Sequence, residues 1–106
     1  MKLNTLYRQW LALAADLYNT KDERKEAFEY GYRGEMRLWE YVRELYLECD
    51  PVPDYISNYV DWEWIAKDLL LSGEYFLIFE EHYKWADSVS MDKQVRYPAH
   101  IFEALL

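Results

Sequence analysis

The chain has 106 residues, 52% hydrophobic and 19% aromatic, with a formal net charge of −8. That supports one folded domain with a real core and excludes both disorder and a two-domain layout. Net negative charge disfavours direct nucleic-acid binding. The absence of a long apolar run or a signal-peptide core points to a cytoplasmic protein with no membrane segment.

In chain order, Leu3, Leu6, Trp10, Leu13 and Leu17 recur at helical spacing, widened by Tyr7, Ala14 and Tyr18. They predict a helix from about residue 4 to 19. Thr20 and Glu23 have capping-box spacing, with the Glu23 carboxylate able to reach the Thr20 N–H. A second, more polar helix follows, burying Ala27 and Phe28 and stopping at Gly31 or Gly34. A third fits residues 35–48, with Met36, Trp39, Val42, Leu45 or Tyr46, and Cys49 on one face. It ends at Asp50-Pro51-Val52-Pro53, because a residue before proline is pushed out of the helical region. Residues 53–59 suit a short helical turn started by Pro53. Asp61 is a natural N-cap for a helix over 62–71 that buries Trp62, Ile65, Ala66 and Leu69.

Beyond Ser72-Gly73 the pattern becomes β-prone. Tyr75 to Phe79 and His82 to Trp85 read as the arms of a hairpin joined at Glu80-Glu81. Residues 87–93 read as a polar loop, 94–97 as a third short strand, and Pro98 to Leu105 as a last helical turn. The expected class is therefore α+β: a mainly helical single domain of three to four helices with a short C-terminal antiparallel hairpin or small sheet. Residues 1–37 form a helical N-terminal extension, 38–86 the central module and 87–106 a C-terminal extension.

The charge is unevenly placed. Residues 1–43 and 82–106 are close to neutral, whereas residues 44–81 hold ten acids against the single base Lys67. The acids are Glu44, Glu48, Asp50, Asp54, Asp61, Glu63, Asp68, Glu74, Glu80 and Glu81. Such crowding is self-repulsive unless an opposite charge compensates it. It suits either a solvated face or a surface for a basic partner. Asp50, Asp54 and Asp61 also flank turns, where Asp is favoured for backbone reasons, and an N-cap role would occupy the Asp61 carboxylate. Trp62 and Trp64 cannot share a helix face. With Trp62 in the apolar stripe, Trp64 is left outward, as an interface aromatic with Tyr55 and Tyr59.

Catalytic signals are few. The three glycines, at 31, 34 and 73, form no phosphate-binding loop. The serines have no paired histidine and elbow motif. His82 reads as a hairpin side chain near solvent, and His100 as part of the terminal helix. Cys49 reads as a small buried hydrophobe. No disulfide is possible with one cysteine, and no metal, cofactor or enzymatic activity is expected.

From Leu38 to Ala86 the order of features resembles the C-terminal part of ArdA antirestriction proteins. The resemblance runs through the helix Leu38-Trp39-Glu40-Tyr41-Val42-Arg43-Glu44-Leu45-Tyr46-Leu47-Glu48, then Pro51-Val52-Pro53, Ile56 and Asn58-Tyr59-Val60-Asp61-Trp62. It continues in Ile65-Ala66-Lys67-Asp68-Leu69 and Leu71-Ser72-Gly73-Glu74-Tyr75-Phe76. Residues 52–62 are similar to the stretch called the antirestriction motif in that family. The resemblance implies an acidic mimic of B-form DNA that occupies the DNA-binding groove of type I restriction-modification enzymes. It also implies a homodimer, with residues 52–62 in the functional or dimer-forming region, and a plasmid, transposon or phage origin.

Nine net negative charges match about 15 Å of duplex at one charge per roughly 1.7 Å. The expected partner is thus a host defence enzyme with a basic DNA-binding groove, either a type I restriction-modification enzyme or a CRISPR effector. The alternative is an acidic protein–protein interaction module or regulator that does not imitate DNA.

Overall fold

A computed structural model describes residues 1–49, 51 and 53–105, with Lys84 and Asp87 described in their backbone only. Asp50 and Val52, both singled out in the sequence, lie outside the described residues. The fold is α+β, as expected, but its sheet is assembled differently from the hairpin that the sequence suggests.

The first helix, α1 (Leu3–Ala14), buries Leu6, Trp10 and Ala14. The apolar stripe is narrower than its sequence implies, because Leu3, Leu13 and Leu17 stay exposed. A 3-10 turn (Ala15–Leu17) then tightens the chain, and the Tyr18 ring stacks at 5.8 Å on Trp10. Helix α2 (Lys21–Gly31) is capped by Thr20, whose hydroxyl accepts the Glu23 N–H at 3.1 Å. The Glu23 carboxylate reaches back one residue further than expected, to the Asn19 N–H at 3.1 Å. Ala27 and Phe28 are buried, as the sequence indicates.

Strand β1 (Tyr32–Arg37) follows without a loop, where the sequence suggests a helix end and the start of the next helix. Its residues, Tyr-Arg-Gly-Glu-Met-Arg, have weak intrinsic β character. Pairing with another strand, not local propensity, makes it extended. Gly34 takes φ 105° at an irregularity in that pairing, a conformation that glycine adopts without strain.

Helix α3 (Leu38–Cys49) buries Leu38 and Val42; Cys49 is exposed, contrary to the sequence reading. The one-turn α4 (Asp54–Ser57) and then α5 (Trp62–Leu71) follow, as expected. The Asp61 carboxylate caps α5 by accepting the Trp64 N–H at 3.0 Å.

The C-terminal third departs most from expectation. Strand β2 (Tyr75–Ile78) forms, but residues 81–88 make a 3-10 segment instead of the second arm of a hairpin. Residues 91–94, expected in a loop and a strand, form the one-turn α6 (Met91–Gln94). Pro98 to Glu103, expected as a helical turn, is β3. It is the central strand of an antiparallel sheet of order β1-β3-β2.

Both faces of β3 are covered. Phe102 packs with Leu6, Trp10 and Phe28 of α1 and α2. Ile101 faces the other way, among Leu38, Val42, Ala66 and Val95 of α3, α5 and the segment after α6. A strand buried on both faces reads as a continuous apolar run, which periodicity cannot separate from a short buried helix. No helix of the described residues is long and apolar enough to cross a membrane.

Gly31 sits where α2 turns into β1, against the end of β3. A Cβ there would lie 2.6 Å from the Glu103 carbonyl oxygen. This neighbour is backbone in the central strand and cannot swing aside. Gly31→Ala is therefore expected to destabilise the fold by about 1–3 kcal/mol, the usual range for overpacking. Urea denaturation would measure it; a midpoint equal to that of the parent chain would contradict the close approach.

Candidate partner-binding surface

Helix α3 carries Glu40, Glu44 and Glu48 at four-residue spacing, so they form one row. Glu40 is ion-paired with Arg37 at 2.9 Å. Glu44 and Glu48 are exposed and take part in no ion pair among the described side chains. On α5, Asp61, Trp64, Asp68 and Leu71 recur at helical spacing and are all exposed, giving a second outward stripe. Val42 of α3 and Ala66 of α5 meet in one core cluster, and the Tyr46 and Trp62 rings lie 6.3 Å apart. The two helices that bear these acids are thus packed together.

The remaining acids divide clearly. Asp54 is exposed at the start of α4, and Glu74 and Glu81 are exposed beside β2. Glu63 accepts from Arg96 Nε at 2.8 Å, so its charge is offset within the molecule. Glu80 is turned inward. Its carboxylate meets the Met1 ammonium at 2.9 Å and His100 Nε2 at 2.7 Å. The hydrogen bond from His100, then that from the ammonium, holds the Glu80 carboxyl below its ordinary range. Of the ten acids, Glu44, Glu48, Asp54, Asp61, Asp68, Glu74 and Glu81 remain exposed without a described ion pair.

Helix electrostatics separates them further. Asp54 and Glu63 lie in first turns, and Asp61 is an N-cap, where a carboxylate is favoured by the backbone amides alone. Glu48 and Asp68 lie in the last turns of α3 and α5, which contain no basic residue. There the helix dipole opposes a negative charge by about 0.3–1 kcal/mol each. Local stability therefore accounts for the first group and not for these two.

The aromatics singled out in the sequence are exposed: Tyr55 is 70% accessible, Tyr59 90% and Trp64 62%. Trp62, by contrast, turns inward and donates its indole N–H to the Ser57 carbonyl at 3.1 Å, fastening α4 to α5. Ser57 is itself buried, with its hydroxyl donating to the Asp54 carbonyl at 3.0 Å. This clasp holds Tyr55 and Tyr59 outward beside the carboxylates.

His100 is the residue that sequence reasoning placed least well. It is not in a terminal helix but buried in the middle of β3, hydrogen-bonded through Nδ1 to the Tyr32 hydroxyl at 2.9 Å. Burial, then the Glu35 and Glu80 carboxylates, raises the pKa of that hydroxyl. A long-range pairing of this kind leaves no signal in local spacing. His82 is exposed, as expected, though in the 3-10 segment and not in a hairpin.

Fold and surface together define a small acidic α+β protein that turns carboxylates and aromatic rings outward from two packed helices. A family model described as antirestriction protein (ArdA) matches residues 1–84, and the chain belongs to that family. The match takes in α1, α2 and β1 as well as all but the last two residues of the Leu38–Ala86 stretch. No curated protein and no solved structure matches the chain.

Proposed function

We propose that the protein is a non-enzymatic DNA mimic that blocks the basic DNA-binding groove of a host defence enzyme, with a type I restriction-modification enzyme as the first target. The observation that carries this reading is the pair Glu48 and Asp68: exposed, unpaired among the described side chains, and set at the helix ends where the fold disfavours them. Residues that work against local stability mark function.

Charge magnitudes bound the mechanism. The long axis of 46 Å would correspond to about 27 charges on duplex DNA at one per roughly 1.7 Å. The chain's net −8 falls far short of that density. It cannot imitate a whole duplex, but it can supply several of the roughly 6–10 phosphate contacts that a DNA-binding groove makes. Carboxylates fixed on helices lose less entropy on docking than a flexible acidic tail. Tyr55, Tyr59 and Trp64 would add desolvated anchors, either to the enzyme or to a second copy of the chain. A two-fold homodimer would double the footprint. A CRISPR effector has a groove of the same chemistry and is the second target to test.

The direct experiment titrates the protein into a type I restriction enzyme bound to fluorescent duplex DNA. At low salt the duplex should be displaced, and the inhibition constant should rise steeply as salt is added. Absence of displacement from both enzyme classes at low salt would reject the proposal. The exposed aromatics favour a second reading, an acidic interaction module that does not imitate DNA. In that case Trp64→Ala abolishes binding while charge reversal on α3 has little effect.

A further inference from the structure

We infer that Glu35, Glu80 and His100 form a binding site for a zinc-class divalent ion across the sheet. The register builds it. Glu35 of β1 stands opposite His100 of β3, and Ile78 of β2 stands opposite the same histidine from the other side. Glu80 follows two residues after Ile78. Each flanking strand therefore delivers one carboxylate to a single imidazole.

Both carboxylates converge on the same ring nitrogen. His100 Nε2 lies 2.7 Å from Glu80 Oε1 and 3.1 Å from Glu35 Oε2. One N–H cannot serve two carboxylates with good geometry, whereas a metal ion can take the nitrogen and both oxygens together. The candidate ligand atoms all lie within 4.8 Å of one another. Ligands around a tetrahedral zinc with bonds near 2.0–2.1 Å sit about 3.3 Å apart, so the two carboxylate–imidazole separations, 3.1 and 2.7 Å, need to widen by about 0.2 and 0.6 Å to admit an ion.

The surroundings suit metal capture. With an ion bound, Nδ1–H donates to the Tyr32 hydroxyl oxygen, as metal-binding histidines donate to their outer-shell partners, and the Nε2 lone pair is left for the metal. His100 is 8% exposed, which fixes its ring. Glu35 is half open to solvent, leaving room for water as a fourth ligand. One imidazole and two carboxylates favour zinc and its first-row neighbours over calcium or magnesium, which take all-oxygen sets. The Met1 ammonium contacts both oxygens of Glu80. An ion on Oε1 confines that contact to Oε2.

Isothermal titration of zinc sulfate into metal-free full-length chain at pH 7.5 tests the site. One ion per chain is expected, with Kd in the micromolar range or below. Because the ligands span β1, β3 and the end of β2, Tm should rise by on the order of 10 °C with zinc at 100-fold its Kd. Glu35→Gln, on an exposed side chain of an edge strand, should keep the fold by circular dichroism and weaken zinc at least tenfold. His82→Ala should bind as the parent does. No uptake at 100-fold excess over micromolar protein, undiminished affinity in Glu35→Gln, or loss of binding in His82→Ala would each overturn the inference.

Discussion

The double reversal Glu44→Lys with Glu48→Lys is expected to weaken inhibition of a restriction enzyme by roughly 30-fold or more at low salt, while leaving the fold as stable as before. The two reversals change four units of charge facing a basic groove. At about 0.5 kcal/mol per unit, the middle of the range for exposed ion pairs, that is about 2 kcal/mol, or roughly 30-fold. Stability should not fall, because Glu48 lies in the last turn of α3, where a lysine interacts favourably with the helix dipole. The loss should shrink as ionic strength rises, since exposed charges are screened over about 10 Å at 0.1 M salt. Competition assays at two salt concentrations, paired with thermal melts, separate the effects. Unchanged inhibition with a normal melt would move the weight to the aromatic surface and to Trp64→Ala.

That expectation rests on elements that are legible in the sequence. The α3 and α5 helices, the Asp61 cap and the outward Trp64 all follow from local rules: apolar residues every three to four positions, a carboxylate at a helix start, proline at a boundary. These operate within a few residues, so the sequence displays them directly. The acidic block was legible as composition, but its division was not. Nothing near Glu63 announces Arg96, which arrives from 33 residues away. Nothing near Glu80 announces His100, because the short apolar run that carries it has no period that separates a strand from a helical turn. The inward turn of Glu80 and the Glu35–Glu80–His100 cluster are products of sheet register, and register is fixed by tertiary pairing. The small sheet was expected near the C-terminus, but its partners were not: β1 lies among polar residues more than 60 positions before the strand it pairs with.

The strand identity of residues 98–103 has a decisive energetic consequence. If Pro98 to Leu105 were a helical turn, Ile101 and Leu105 would share the buried face, and Phe102 would lie to one side of it. In the β3 arrangement Ile101 and Phe102 are both fully buried on opposite faces, and Leu105 lies past the end of the strand, half-buried beside Tyr18. Phe102 stacks on Phe28 at 5.3 Å and lies 5.0 Å from the Tyr32 ring, so it joins α2, β1 and the core of α1. Phe102→Ala removes that ring where three elements meet and where neighbouring backbone cannot collapse into the space. A loss of about 3–5 kcal/mol is expected, at least a fifth of the total stability usual for a domain of this size, about 5–15 kcal/mol. Leu105→Ala should cost about 1 kcal/mol, because a half-buried leucine leaves little cavity. Urea denaturation of the two variants compares them directly. Equal losses, or a larger loss at Leu105, would contradict the central strand and with it the register that brings Glu35 and Glu80 to His100.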